Sequence, residues 1–194
     1  MNCTMKTNLG KLLADSLRYY YFDSDSLVEQ AAGGSSAANS LREGDEKAFR
    51  DSETEVLRQL SSMGRLLVCA GDGAVRSSTN LAFMRYGISI WIDIPLDVLA
   101  NEVLKTEDLS NVAQATSDSN SFSKVLEEIS QQYNALREGY ETSDARVCLQ
   151  KVASQLGHEE LDCVTPEDMA VEVLKEIEKL TRVKKMMEAA ARPF

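Results

Sequence analysis

The 194 residues hold one histidine, His158, and four cysteines, Cys3, Cys69, Cys148 and Cys163, none of them in a CxxC pair. Zinc sites need clustered Cys and His ligands, so no zinc centre is expected. No stretch approaches the roughly 18 consecutive apolar residues of a membrane span, and no membrane insertion is expected. No cleavable signal or transit segment is visible. The first residues already read as folded structure, so a targeting segment would lie upstream of them. The net charge of −10 argues against non-specific binding to nucleic acid or to an anionic membrane. No Lys or Arg stands between Thr106 and Ser123, and no internal repeat is found.

What is present suits one domain with a sizeable core: 43% of the residues are hydrophobic. Cys69 and Cys148 lie inside apolar runs and read as buried, reduced thiols. The chain opens MNCTMKTNLGKLLADSL. Leu9, Leu12, Leu13 and Leu17 recur at helical spacing, so 7–18 reads as a helix. A Lys-Thr pair at its head has the form of the end of a phosphate-binding loop, although the usual glycines are missing. YYYFDSD (Tyr19–Asp25) reads as a buried strand. SLVEQAAGG reads as a short helix stopped by Gly33 and Gly34. Glu46–Ser62 is a second clear helix, with Phe49, Val56, Leu57 and Leu60 on one side.

RLLVCAGDGAV is a strand running into a glycine turn, and GISIWIDIPLDVLANEVL is a strand, a proline and a helix. RVCLQ (Arg146–Gln150) reads as a last strand. Thr165, Pro166 and Asp168 form the N-cap, first position and capping-box acid of a final helix. The polar segment between Lys105 and Lys124 reads as a mobile loop. Strands alternating with helices predict a doubly wound α/β domain with a mostly parallel sheet. In such sheets ligands bind beyond the carboxyl ends of the strands. Asp23, Asp25, Gly71, Asp72, Gly73 and Asp93 are therefore candidates for one crevice. The alternative for each is a turn or a helix cap.

KTNLGKLLADSLRYYYFDSDSLVE, FRDSETEVLRQLSSMGRLLVCAGDGAV, WIDIPLDVLA, SDARVCLQ and TPEDMAVEVLKEI, in that order, resemble the shikimate kinases, the plant plastid ones in particular. The resemblance runs from about Thr4 to about Thr181. It implies a P-loop fold of the nucleoside-monophosphate-kinase kind and transfer of the ATP γ-phosphate to the 3-hydroxyl of shikimate. It delimits a domain over 1–182, with a degenerate lid at 106–123 and a tail at 183–194. Residue by residue, it gives Lys6 the β/γ-phosphates and Thr7 the magnesium ion. Asp23 falls near the metal shell, and Asp25 takes the substrate hydroxyl. Arg50 grips the substrate carboxylate, Glu53 supports Arg50, and Gly71 and Gly73 flank the substrate. The family's first strand would precede Thr4 and lie between the strands at RLLVCAG and ISIWIDI. This chain holds no residues for it. The expectation is that those two strands are parted or directly paired, or that the natural chain is longer.

Departures from the family pattern fall on the chemistry. Met5 and Cys3 stand where the loop has glycines, and Met5 is expected to point where phosphate should lie. Asp72 replaces the middle glycine of a triple and would repel an anionic substrate. The lid lacks its arginine, and Leu136 stands where a second substrate arginine belongs. Arg137 is about 100° away on the helix and could serve only after a register shift. The resemblance therefore implies a kinase-like protein without kinase activity, a binding or regulatory module of the chloroplast connected with chloroplast development. It implies Mg-ATP only where nucleotide binding survives, and an unidentified protein partner. Two alternatives stand beside it: an active small-molecule kinase, and a partner-binding scaffold that takes no small ligand.

Overall fold

In α1 (Thr4–Leu17) the residues turned inward are Leu9, Gly10, Leu13 and Ala14, the four-residue repeat of an amphipathic helix laid on a sheet. The structure, a computed structural model, describes residues 4–110 and 119–190. α1 begins at Thr4, not at residue 7, so Lys6 and Thr7 belong to its first turn. Met5 corrects an expectation. It packs against the main core, because positions 5, 9 and 13 share one face of the helix.

β1 (Tyr20–Asp23) pairs in parallel with β2 (Leu66–Cys69), from Tyr20 opposite Leu66 to Asp23 opposite Cys69. β3 (Ile90–Asp93) pairs in parallel with β4 (Ala145–Cys148), from Ile90 opposite Ala145 to Asp93 opposite Cys148. Among the described residues these are two separate two-stranded sheets. Of the arrangements left open for β2 and β3, the structure shows the parted one.

The elements differ in detail from the sequence reading. The first strand is shorter than Tyr19–Asp25, because Asp23 caps α2 (Ser24–Ala32). Tyr20 is 72% exposed, since this strand has a partner on one side only. Leu149 and Gln150 leave the strand and open α8 (Leu149–Leu156). The segment read as a loop is helical at both ends. α6 (Leu96–Ser110) runs past Lys105, and α7 (Ser119–Tyr140) starts before Lys124. The stretch has no Gly or Pro, and polarity alone does not end a helix. Residues 111–118 lie outside the described part. α3 (Ser35–Gly44) and α5 (Ser78–Met84) carry too little apolar pattern to be read from sequence.

Among the described residues, two cores hold the elements. The larger joins Leu9 and Leu13 to Ile94, Val147, Leu149, Val152, Met169 and Val173. Met169 and Val173 belong to α9 (Pro166–Ala190). Its capping box is formed: the Asp168 carboxylate accepts from Thr165 N–H at 3.0 Å, and Asp168 N–H donates to Thr165 Oγ1 at 3.2 Å. The smaller core packs Val28, Ala38 and Phe49 between α2, α3 and α4 (Glu46–Ser61). Arg42 lies over the Phe49 ring at 4.5 Å. Cys69 is buried, Cys148 half-buried and Cys163 exposed, all with free thiols.

Candidate functional site

The carboxyl ends of β1 and β2 meet in one tight contact. Asp23 accepts a hydrogen bond from Ser26 N–H at 3.1 Å, which makes it the N-cap of α2. That sets Ser24 and Asp25 in the first turn. The Ser24 hydroxyl accepts from Gly71 N–H at 2.9 Å. The Asp25 carboxylate fills the space that a Cβ on Gly71 would need. The Glu53 carboxylate fills the corresponding space at Gly73. Both glycines are thus required by close approach, and the groups that approach are the chain's own carboxylates. The cavity left among Ser24, Asp25, Glu53 and Gly73 measures about 10 Å³, room for one water molecule.

Arg50 lies one helical turn from Glu53 and donates to it at 2.8 Å and to Glu46 at 3.3 Å. Glu53 is 8% exposed, so its pairing with Arg50 is what lets a carboxylate sit there. The charged contacts raise the Arg50 pKa further, against the opposing effect of burial. Asn80 was not singled out in the sequence, and it is 3% exposed. It donates to the Gly73 carbonyl at 2.7 Å and accepts from the Thr54 hydroxyl at 2.9 Å, holding the turn to α4. A lone Asn in a polar segment gives no signal in the sequence; only the turn's position makes it a strut.

Asp72 opens a 3-10 turn at Asp72–Val75. Its carboxylate accepts from the Tyr140 hydroxyl at 3.0 Å. Tyr140 stacks on Trp91 of β3 at 5.8 Å between centroids, and Tyr133 lies 6.3 Å from both rings. Tyr133 and Tyr140 are seven residues apart on α7, hence on one face; that spacing was the available signal. Burial, then the charge of Asp72 and the bond to it, hold the Tyr140 phenol above its ordinary range. Asp93 pairs with Arg146 at 2.6 Å, and Arg146 lies 4.3 Å over Trp91. Asp93 therefore faces the aromatic cluster and its own cation.

Lys6 reaches the same corner. Its ammonium donates to the Ala70 carbonyl at 3.3 Å. Burial pushes the Asp25 carboxyl above the usual carboxylate range; Lys6 opposes the rise, while Asp23 and Asp72 add to it. Thr7, beside it in the first turn, is half-buried. The structure thus brings Lys6, Asp23, Asp25, Gly71, Asp72 and Gly73 together, with Arg50 and Glu53 behind the glycine turn. Leu136 is 5% exposed, an apolar core position. Arg137 is turned outward and pairs with Glu141 at 2.8 Å, so no register shift brings it inward.

A family model described as Shikimate kinase matches residues 2–178. The Arabidopsis thaliana protein "Probable inactive shikimate kinase like 1, chloroplastic" is 57% identical over 194 residues, 100% of this chain and 66% of that protein. "Shikimate kinase 2, chloroplastic" of Oryza sativa subsp. japonica is 40% identical over 173 residues, 89% of this chain and 56% of that protein. The chain thus spans less than two thirds of the length of these relatives. The crystal structure of shikimate kinase from Aquifex aeolicus aligns with a TM-score of 0.64 at 25% identity, covering 91% of each chain. Shikimate kinase from Acinetobacter baumannii in complex with shikimate aligns at 0.65 and 22% identity, over 90% of this chain and 87% of that one, and shares the fold.

Proposed function

This chain belongs to the shikimate kinase family and is a chloroplast protein, like its plant relatives, and we propose that it does not phosphorylate shikimate and acts instead as a binding or regulatory module. The process we assign it to is chloroplast development. The observation that carries the reading is Asp72. Its carboxylate stands in the glycine turn, tied to Tyr140 at 3.0 Å, beside Asp25. An anionic substrate brought to Asp25 would meet two carboxylates. Arg50 is engaged by Glu53 and Glu46, and the position for a second arginine is the buried Leu136. Phosphoryl transfer depends on positioning and on neutralising charge, and this site is short of both.

A magnesium nucleotide fits poorly at the head of α1. Lys6 and Thr7 are the parts that match it. The Lys6 ammonium donates to the Ala70 carbonyl at 3.3 Å and lies within the electrostatic reach of Asp25, and Met5 stands where the family has a glycine. We derive no catalytic step through the nucleotide.

The test is a coupled ATP-consumption assay with shikimate, run beside the rice chloroplastic kinase. The expected result is no turnover above background; a rate within the roughly 1–100 s⁻¹ typical of kinases overturns the reading. Thermal unfolding with ATP or shikimate then sorts what remains. A ligand at 100 times its Kd stabilises by about 2.7 kcal/mol. A shift marks a binding module, and its absence with every ligand marks a scaffold. The second reading, an active kinase of altered substrate, draws on the surviving Lys6, Thr7, Asp25 and Arg50. ATP consumption with another hydroxyl compound would favour it.

A further inference from the structure

α9 outlasts the core that it packs on. Among the described residues its last side chain against that core is Ile177, yet the helix runs on to Ala190, about 20 Å further at ~1.5 Å per residue. The family model ends at residue 178, so this stretch lies beyond the part that the model matches. Local propensity accounts for it. Arg, Lys, Met and Ala fill most of Arg182–Ala190 and are good helix formers, and the packed helix behind them removes the cost of nucleation.

Every described side chain from Arg182 to Ala190 is exposed. Leu180, Val183, Met187 and Ala190 follow one another at helical spacing and form one apolar stripe, with Met186 at its edge. Val183, Met186 and Met187 are 49%, 66% and 68% exposed. Cations surround the stripe. Lys179 and Lys184 border it, and Arg182 and Lys185 lie on the far side of the helix. Lys184 and Lys185 have no ion-pair partner among the described residues, and the Arg182–Glu178 pair at 2.8 Å is exposed and weak. From Lys179 onward the sequence holds five Lys and Arg against one Glu, a net charge of +4, and the rest of the chain carries −14.

Charge and exposure narrow the occupant. A second copy of the same helix is repelled, because both are basic. An anionic membrane suits the charge, but Leu180–Ala190 has no aromatic anchor, and a helix lying on that surface would hold a body of charge −14 close to it. A helix exposed on all sides suits a groove that wraps it. We propose that α9 beyond Ile177 is a docking helix for a partner protein with an acidic rim and a methionine-lined apolar groove, the kind of surface that calcium-sensor EF-hand proteins open on binding calcium. Val183, Met187 and Ala190 enter the groove, where flexible methionines adapt to them, and Arg182, Lys184 and Lys185 meet the rim. No residue of α9 lines the cavity at Asp25, so the docking helix is separate from the cleft that the proposed loss of kinase activity concerns.

The probe is calmodulin, whose calcium-loaded form has such a groove and whose calcium-free form keeps the acidic surface with the groove closed. The 194-residue chain is titrated with each form at about 0.15 M salt. The expected Kd is roughly 1 μM or tighter with calcium, and at least about tenfold weaker without it. Val183→Ser with Met187→Ser, and separately Lys184→Glu with Lys185→Glu, should each weaken binding by at least about tenfold. All four positions are exposed, so both variants should melt with the parent. Val171→Ser, at a position of the same helix that is 53% exposed and precedes Ile177, should bind like the parent. Absence of binding to the calcium-loaded form overturns the proposal. So do equal binding of both forms and a loss confined to the lysine variant, since either reduces the contact to attraction between charges. Binding instead to vesicles of phosphatidylcholine with about one-third phosphatidylglycerol assigns the helix to a membrane surface and overturns it as well. A parent that is dimeric, and monomeric once Val183 and Met187 are replaced, means that a second copy covers the stripe and overturns it too. None of these readouts depends on kinase activity.

Discussion

Replacing Gly71 with alanine tests the contact that organises the site. The backbone at Gly71 has φ −76° and ψ 177°, which alanine adopts freely. On backbone grounds alone the substitution would stabilise by about 0.4–1 kcal/mol. The new Cβ falls on the Asp25 carboxylate, which must rotate away or push the turn outward. Overpacking of that kind costs about 1–3 kcal/mol. The net expectation is a loss of about 1–2 kcal/mol, or roughly 2–8 °C in melting temperature for a chain of this size. Urea unfolding of Gly71→Ala, Asp25→Ala and the double variant separates the causes. With Asp25 truncated the clash is gone, and Gly71→Ala should be neutral or slightly stabilising. The coupling between the two positions should then be about 1–3 kcal/mol. If Gly71→Ala costs the same in both backgrounds, Asp25 is not what excludes a side chain there, and the close-approach account of the glycine is wrong.

Asp72→Gly should strengthen binding of shikimate or an anionic analogue by removing a carboxylate from the cleft, while the lost charge-assisted hydrogen bond from Tyr140 costs about 1.5–3 kcal/mol of stability. Calorimetric titration beside Tyr140→Phe reads this, and no gain for either ligand would show that Asp72 does not obstruct the site. Asp25→Asn should stabilise at neutral pH. The folded-state pKa of Asp25 is raised, so its favourable contribution is present below the unfolded value and is lost as pH rises through the folded one. The gain in melting temperature should therefore shrink on acidification, and a gain that grows in acid would reverse the sign. Leu136→Arg should destabilise by about 2–5 kcal/mol, because it sets an unpaired charge in a position that is 5% exposed. Unchanged stability with new shikimate binding would show that α7 still accepts the arginine.

What the sequence determined by itself is local. The N-cap at Asp23, the stop at Gly33 with φ 94°, and the Thr165–Asp168 capping box each close within a few residues. Their hydrogen bonds need no knowledge of the rest of the chain. Asp23, Asp25 and the glycine turn were readable as one crevice because strand ends in a parallel α/β sheet share one edge; Lys6 and Arg50, which lie in α1 and α4, entered only through the resemblance to the family. Tertiary structure decided the rest. Met5 turns into the core because α1 lies on a particular face of the sheets. Asp72 meets Tyr140, 68 positions away, because α7 crosses the turn. α3 stands because α2 and α4 give it Val28 and Phe49 to pack on. Gly71 and Gly73 admit carboxylates where sequence alone suggested a substrate. Each of these depends on which surfaces the fold brings into contact, and contacts between distant segments leave no periodicity in the chain that makes them.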